Sequence, residues 1–167
     1  MNRLGLIRFT PHYRTVRWGG QHIAQFKNIH LEDTHVGESW EISSLEGMET
    51  VIAEGPLSGM TITGLLRNHG EEILGKELHE RFGEKFPLLI KFIDAEDDLS
   101  IQVHPDDKQS NGCGKTELWY IIDAQPGAHI YSGFNQKLTH GEMTRILNER
   151  TITNVLAKHY AQAGDVF

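Results

Sequence analysis

The sequence predicts a mainly β fold, a barrel or sandwich that carries a helical insertion. Short runs of alternating apolar and polar residues lie on both sides of one segment whose leucines have helical spacing. Strands that enclose a helical insertion favour a barrel or sandwich over a parallel doubly wound sheet, in which strands and helices alternate along the chain. With 167 residues and no repeat, the chain has the size of one domain, and we expect a single domain over residues 1–167.

The first strands are expected between residues 9 and 53. Residues 26–31 and 39–43 each alternate apolar with polar side chains, and Gly and Asp residues separate such runs. A period of two is typical of strands that bury one face. We therefore predict a strand over each run.

A helical insertion is predicted around residues 61–83. Its apolar residues recur at steps of three and four, at Leu65, Leu66, Ile73, Leu74 and Leu78. Because Gly70 and Gly75 interrupt this pattern, we expect two short helices and not one long helix.

Strands return after the insertion. Residues 86–92, 99–104 and 117–123 are rich in strand-forming side chains, and residues 154–157 alternate again. Before the last of these runs, Thr139 and Glu142 have the spacing of a capping box, in which the threonine caps the first helical turn and the glutamate reaches back. We predict a helix that begins at this pair.

Composition and charge exclude several classes of protein. The chain has 16 basic and 23 acidic residues, a net charge of −7 and no run of Lys or Arg, so we expect no nucleic-acid partner. No segment has the roughly 18 apolar residues of a membrane span, and the N-terminus is too polar for a signal peptide, which predicts a cytoplasmic protein without membrane contact. Because Cys113 is the only cysteine, any metal site must use nitrogen and oxygen ligands.

The residues with the clearest chemistry lie between 98 and 107. Taken as a strand, this segment places Ser100, Gln102 and His104 on one face and apolar residues on the other. Pro105 cannot continue a central ladder, so the strand ends there and residues 106–114 form a loop.

A second predicted strand follows that loop. On it, Lys115, Glu117 and Trp119 share a face. If the two strands pair, an imidazole, an amide, a carboxylate and an ammonium group converge, a mixture that suits a borderline divalent ion such as Zn²⁺. Ordinary hydrogen-bonded residues at the rim or solvent face would have the same spacing, so the pattern leaves both interpretations open.

Several segments resemble the type I phosphomannose isomerase family, in unbroken order and over essentially the whole chain. The segments that carry the resemblance are residues 17–20, 37–43, 86–95, 99–107 and 114–120. They include the Gln-Val-His-Pro-Asp-Asp run that begins at Gln102 and the Gly-Lys-Thr-Glu-Leu-Trp-Tyr run around Glu117.

The resemblance implies a cupin-like jelly-roll fold and a zinc-dependent isomerase that interconverts mannose 6-phosphate and fructose 6-phosphate through an enediol or enediolate intermediate. It implies Gln102, His104 and Glu117 as metal ligands, with one zinc ion per intact chain. A further histidine of the family follows a segment that resembles residues 164–167, and the given chain ends before it. We therefore expect a chain truncated at its C-terminus, without the family's second cupin-like half, that binds zinc weakly and is inactive. Three residues that could substitute for the missing ligand are His129, His140 and His159.

Other residues near these ligands have expected roles, that of Ser100 from the resemblance and the others from their own chemistry. Ser100 matches a serine that contacts the substrate phosphate. Lys115 is a candidate for the catalytic proton-transfer group, because a nearby cation disfavours its protonated form, and equally for a phosphate contact. Trp40 and Trp119 are expected to pack, and Asp106 and Asp107 to cap the turn after Pro105.

Two other functions compete with this prediction. One is a metal-dependent cupin oxygenase, which would use two histidines and a carboxylate on iron; Gln102 stands where a histidine would be expected. The other is a cupin that binds a phosphosugar as a sensor or assembly module without catalysis. In the favoured interpretation, the partner is a small sugar phosphate.

Overall fold

The structure, a computed structural model, describes residues 4–110, 112 and 114–167. It separates into two compact units, Met1–Ile101 and Gln102–Phe167. Within the described residues, no helix has the length and apolar character needed to cross a membrane. The single domain predicted from the sequence stays a prediction.

The first unit contains two antiparallel sheets. Its strands are β1 (Phe9–Thr10), β2 (His12–Thr15), β3 (Val36–Ile42), β4 (Val51–Ile52) and β5 (Ile90–Ile93). The larger sheet has the order β2-β3-β5, and β1 pairs with β4 in the smaller one. Strand β3 confirms most of the run predicted over residues 39–43, whereas β5 covers only the end of the run predicted over 86–92.

The strand predicted over residues 26–31 is wrong. Phe26 and Lys27 end a short helix, α1 (His22–Lys27), and Asn28 adopts a left-handed conformation, with φ 51°, that closes it. Six residues are too few to show a helical period, and tertiary contacts hold this helix in place. The Asp94 carboxylate accepts the backbone N–H of His22 at 2.6 Å, and the ammonium of Lys27 lies 2.7 Å from the Glu41 carboxylate.

The helical insertion is confirmed. Helices α2 (Ile62–Leu74) and α3 (Lys76–Phe82) follow one another and meet at Gly75, whose φ of 76° favours glycine. The side chain of Thr61 accepts the Gly64 N–H and caps α2. The helix is also kinked directly before Gly70, at His69, where φ is −136° and ψ is 24°, so both predicted interruptions leave a mark on the backbone. Leu65 and Leu66, on the inner face of α2, are 2% and 0% exposed.

The second unit contains one two-stranded sheet and one α-helix within its described residues. Strands β6 (His129–Phe134) and β7 (Leu156–Tyr160) pair in antiparallel fashion. Between them lie helix α4 (His140–Glu149) and a 3₁₀ helix, Ile152–Val155. The strand predicted over residues 154–157 therefore begins later, at Leu156, and β6 was not predicted.

The strands predicted over residues 99–104 and 117–123 are not formed. The described residues from 98 to 119 include no strand, and Tyr120 makes only an isolated bridge to Val166. Alternation indicates which side chains share a face, whereas a strand also needs a continuous hydrogen-bonded partner, and the backbone pairing of Trp119 and Ile121 with residues 164–167 is too short to form one. Apolar side chains of both runs are exposed, with Val103 at 92% and Leu118 at 70%.

The capping box at the start of α4 is confirmed. The Thr139 hydroxyl accepts the backbone N–H of Glu142, and the Glu142 carboxylate accepts the backbone N–H of Thr139 at 2.8 Å. The hydrogen bonds from Thr139 lower the pKa of the Glu142 carboxyl, and the bond from the backbone has the larger effect.

Replacing Thr139 by Ala is expected to lower the free energy of unfolding by about 1 kcal/mol, because the first turn of α4 loses its side-chain cap. Urea denaturation followed by circular dichroism measures the loss. Thr144→Ala on the same helix is the matched control: its hydroxyl donates to the His140 carbonyl oxygen, and Ala is the better helix former. Equal losses in the two variants would contradict the capping role.

Candidate functional site

A closed loop connects the two segments that carry the predicted metal ligands. The backbone N–H of Lys115 donates to the Pro105 carbonyl oxygen at 3.1 Å. Inside the loop, the Asp107 side chain accepts the Gly114 N–H at 2.9 Å, and the Asp107 carbonyl oxygen accepts the Gly112 N–H at 2.7 Å. Hydrogen bonds within the loop, and not pairing between two strands, therefore close it.

Asp106 organises the turn after Pro105. Its carboxylate accepts the backbone N–H of Gln109 at 2.8 Å, and its carbonyl oxygen accepts the Ser110 hydroxyl. The capping role predicted for Asp106 is confirmed, whereas the Asp107 carboxylate bonds Gly114 across the loop and does not cap this turn. Cys113, for which the sequence predicts no function, lies outside the described residues.

His104 and Glu117 converge at the ends of this loop. The His104 Nε2 and Glu117 Oε2 atoms are 2.5 Å apart. The ammonium of Lys115 lies 3.5 Å from the same oxygen, and the indole N–H of Trp119 donates to the other carboxylate oxygen, Oε1, at 2.7 Å. The structure therefore brings together four residues that the sequence placed on two strands.

The environment of Glu117 favours its ionised form. Partial burial raises the pKa of this carboxyl, but the hydrogen bonds from Trp119 and His104 and the charge of Lys115 outweigh burial, so the pKa lies below its ordinary value. The side chains of His104 and Glu117 are 26% and 27% exposed, which leaves them accessible from solvent. At neutral pH the site presents the Glu117 carboxylate beside the His104 ring.

This donor set fits a zinc ion. Imidazole nitrogen and carboxylate oxygen are both usual zinc ligands, and here the two atoms are neighbours that share a hydrogen bond. Gln102 lies two residues before His104 in the same unit. Gln102 as a third ligand and Ser100 as a phosphate contact stay predictions.

The three histidines considered as substitute ligands lie elsewhere in the second unit. His129 contacts the Gly127 carbonyl oxygen and the ring of Tyr131, and His159 contacts the Ser132 carbonyl oxygen. His140 is the first residue of α4. In the part of the chain that the structure describes, no group of three or more His, Cys, Asp or Glu side chains is placed to hold a metal ion.

The role of Trp119 was missed in the sequence. It was expected to pack, as the buried Trp40 does, but its indole is a hydrogen-bond donor to the predicted ligand Glu117. A signal was present, because a spacing of two residues puts Glu117 and Trp119 on one side of an extended segment.

Comparisons with known proteins agree on one family. The family model for the catalytic domain of type I phosphomannose isomerase matches residues 6–147. Mannose-6-phosphate isomerase ManA of Bacillus subtilis (strain 168) is 34% identical over 164 residues, which are 95% of this chain and 50% of that protein. Mannose-6-phosphate isomerase of Streptococcus mutans (serotype c, strain UA159) is 32% identical over 154 residues, covering 90% of this chain and 47% of that protein.

A solved structure gives the same result. The crystal structure of mannose 6-phosphate isomerase from Bacillus subtilis matches with a TM-score of 0.84 at 32% identity, over 96% of this chain and 51% of that chain. The chain spans about half the length of the curated relatives it matches.

Proposed function

This chain belongs to the type I phosphomannose isomerase family, and from this premise we propose that the intact protein is a zinc-dependent enzyme that interconverts mannose 6-phosphate and fructose 6-phosphate. The observation that carries the proposal is the convergence of His104 Nε2 and Glu117 Oε2, 2.5 Å apart, within the segment that matches the family. The mainly β, cupin-like fold predicted from the sequence is confirmed by the structural likeness, with antiparallel sheets and no closed barrel among the described residues.

The reaction moves a proton between two adjacent carbon atoms of the sugar. That proton is acidic only because it lies next to a carbonyl group, and its removal leaves an enediolate. Zinc, when bound, supplies a Lewis acid that polarises the carbonyl oxygen. His104, Glu117 and Gln102 are the residues that would hold it, and a Glu117 side chain engaged as a ligand is not free to act as the base.

Of the two roles left open for Lys115, base and phosphate contact, we propose the phosphate contact. Its ammonium lies 3.5 Å from Glu117 Oε2, beside the residues that would hold the metal. Its side chain is 51% exposed, so the cation can reach a ligand that arrives from solvent. A phosphate is the anionic part of the proposed substrate.

Replacing Lys115 by Met is expected to raise KM for mannose 6-phosphate about ten-fold and to change kcat by only a few-fold, because a charged hydrogen bond to the phosphate is lost. Steady-state kinetics on the full gene product measures both constants. The matched control is Lys137→Met, an exposed lysine of the same unit. A fall of kcat by 100-fold or more with an unchanged KM would instead identify Lys115 as the base.

The proposed function is tested by measuring zinc content and mannose-6-phosphate isomerase activity side by side on this chain and on the full gene product. We expect about one zinc ion per chain and activity in the longer protein. Zinc and activity in the short chain would show that its ligand set is sufficient. Tight phosphosugar binding without turnover in either protein would favour a sensor, and iron-dependent oxygen consumption would favour an oxygenase.

The location of the enzyme in the cell is also part of this proposal. A charged phosphosugar does not cross a lipid bilayer unaided, because burying the phosphate in hydrocarbon is costly. We therefore place the enzyme in the cytoplasm, with a small sugar phosphate as its partner. Activity confined to a membrane or extracellular fraction would contradict this location.

A further inference from the structure

We propose that Trp119 is a positioning residue that limits Glu117 to binding the metal through one oxygen, Oε2. This inference rests on the proposed function and adds to it a residue outside the ligand set. A carboxylate can bind a cation through one or both of its oxygens, and the two modes give different coordination numbers. A hydrogen bond to one oxygen is a means of selecting between them.

The two oxygens of Glu117 have different neighbours. Oε1 accepts the Trp119 indole N–H at 2.7 Å, whereas Oε2 faces His104 Nε2 and the Lys115 ammonium. An indole N–H is only a donor and cannot be a metal ligand. Oε1 is therefore committed to the protein, and Oε2 is the oxygen that lies beside the other ligand atom.

The backbone of Trp119 is held independently of the site. Trp119 and Phe167 exchange two backbone hydrogen bonds, each 2.9 Å long. Because this pairing fixes the backbone from which the indole extends, the indole can hold Glu117 in place. The half-buried indole has the fixed support that a positioning residue needs.

A second Trp and Glu pair with the same spacing, found among the described residues, has different neighbours. In the first unit, the Trp40 indole donates to the carboxylate of Glu38, also two residues earlier, at 2.9 Å. There both oxygens are occupied by cations as well, since Lys91 contacts Oε1 and Arg14 contacts Oε2. The cations lie 2.7 and 2.9 Å from the Glu38 oxygens, whereas the Lys115 ammonium lies 3.5 Å from Glu117 Oε2, which faces His104 Nε2.

The test uses Co²⁺ as a probe for zinc, on this chain and on the full gene product, in the variant Trp119→Phe. We expect the affinity for Co²⁺ to fall roughly ten-fold, which is a usual loss when a residue that orients a metal ligand is replaced. We also expect weaker visible absorption of the bound Co²⁺, because release of Oε1 permits a fifth ligand atom and higher coordination lowers the intensity of these bands. A role in packing alone would not change this spectrum. Trp40→Phe is the matched control and should leave affinity and spectrum unchanged.

The outcomes separate the two proposals. Affinity and spectrum unchanged in Trp119→Phe, with Co²⁺ binding lost in Glu117→Gln, would overturn the role of Trp119 and leave the metal site standing. Co²⁺ binding unchanged in Glu117→Gln would overturn the metal site itself. If Trp119→Phe does not fold, nuclear magnetic resonance of the unaltered protein decides: its Trp119 indole N–H should stay protected from exchange when zinc is bound, and loss of protection would overturn the proposal.

Discussion

Replacing Glu117 by Gln is expected to lower the zinc affinity of the intact protein by more than about 100-fold, beyond the 10- to 100-fold effect of changing a residue that only supports a ligand. The carboxylate brings the negative charge of the site, and its lowered pKa keeps that charge at neutral pH. A neutral amide removes the charge and keeps the size of the side chain. Isomerase activity should be lost together with the metal.

The measurement is zinc affinity by competition with a chromophoric chelator, with activity assayed on the same samples. Glu149→Gln is the control, since Glu149 is an exposed residue at the end of α4 in the same unit. An isomerase that keeps full activity and zinc content without the Glu117 carboxylate would disprove its assignment as a ligand.

Replacing Glu38 by Gln is expected to lower the free energy of unfolding by about 2–3 kcal/mol, because two cations lose a buried anionic partner. The Glu38 side chain is only 9% exposed and contacts Arg14 at 2.9 Å and Lys91 at 2.7 Å. The matched control is Glu54→Gln, which removes the exposed ion pair with Arg8 in the same unit and should cost less than about 0.5 kcal/mol.

The contribution of Glu38 should also depend on pH. Burial raises the pKa of this carboxyl. The hydrogen bonds from Lys91 and Trp40, together with the charges of Lys91 and Arg14, lower it by more, so the pKa lies below its ordinary value. Because the pKa is lower in the folded than in the unfolded chain, the stabilisation is complete above the ordinary value near 4.5 and is lost as pH falls through the folded value.

Urea denaturation at pH 7 and at successively lower pH values measures this effect. The difference in stability between the unaltered protein and Glu38→Gln should shrink as the pH falls. A difference that stays constant down to pH 3 would show that Glu38 acts through packing and not through its charge.

Local signals predicted the elements that depend on neighbouring residues. The two helices of the insertion follow from leucine spacing and from the glycine at position 75, and the start of α4 follows from the Thr139 and Glu142 capping box. In each case the hydrogen bonds that define the element join residues close in sequence. The chemistry of His104 and Glu117 was also recognisable, because the residue types and their order resemble those of the family.

Long-range contacts account for the elements that the sequence misassigned. Phe26 and Lys27 are helical because α1 is held by Asp94 and Glu41, distant residues that no local pattern reveals. Residues 99–104 alternate as a strand does but have no strand assignment, since pairing needs a partner and alternation does not supply one.

In the candidate site, too, some features follow from the sequence and others depend on long-range contacts. Residue types and spacing established which side chains could act together, because a period of two puts Lys115, Glu117 and Trp119 on one side. Only the tertiary structure decides which neighbour each Glu117 oxygen has. Closure of the loop between Pro105 and Lys115 brings His104 to Oε2. Backbone pairing with Phe167 supports Trp119 beside Oε1. Spacing along a chain specifies a face, whereas the distance between two atoms depends on every contact that closes the loop between them.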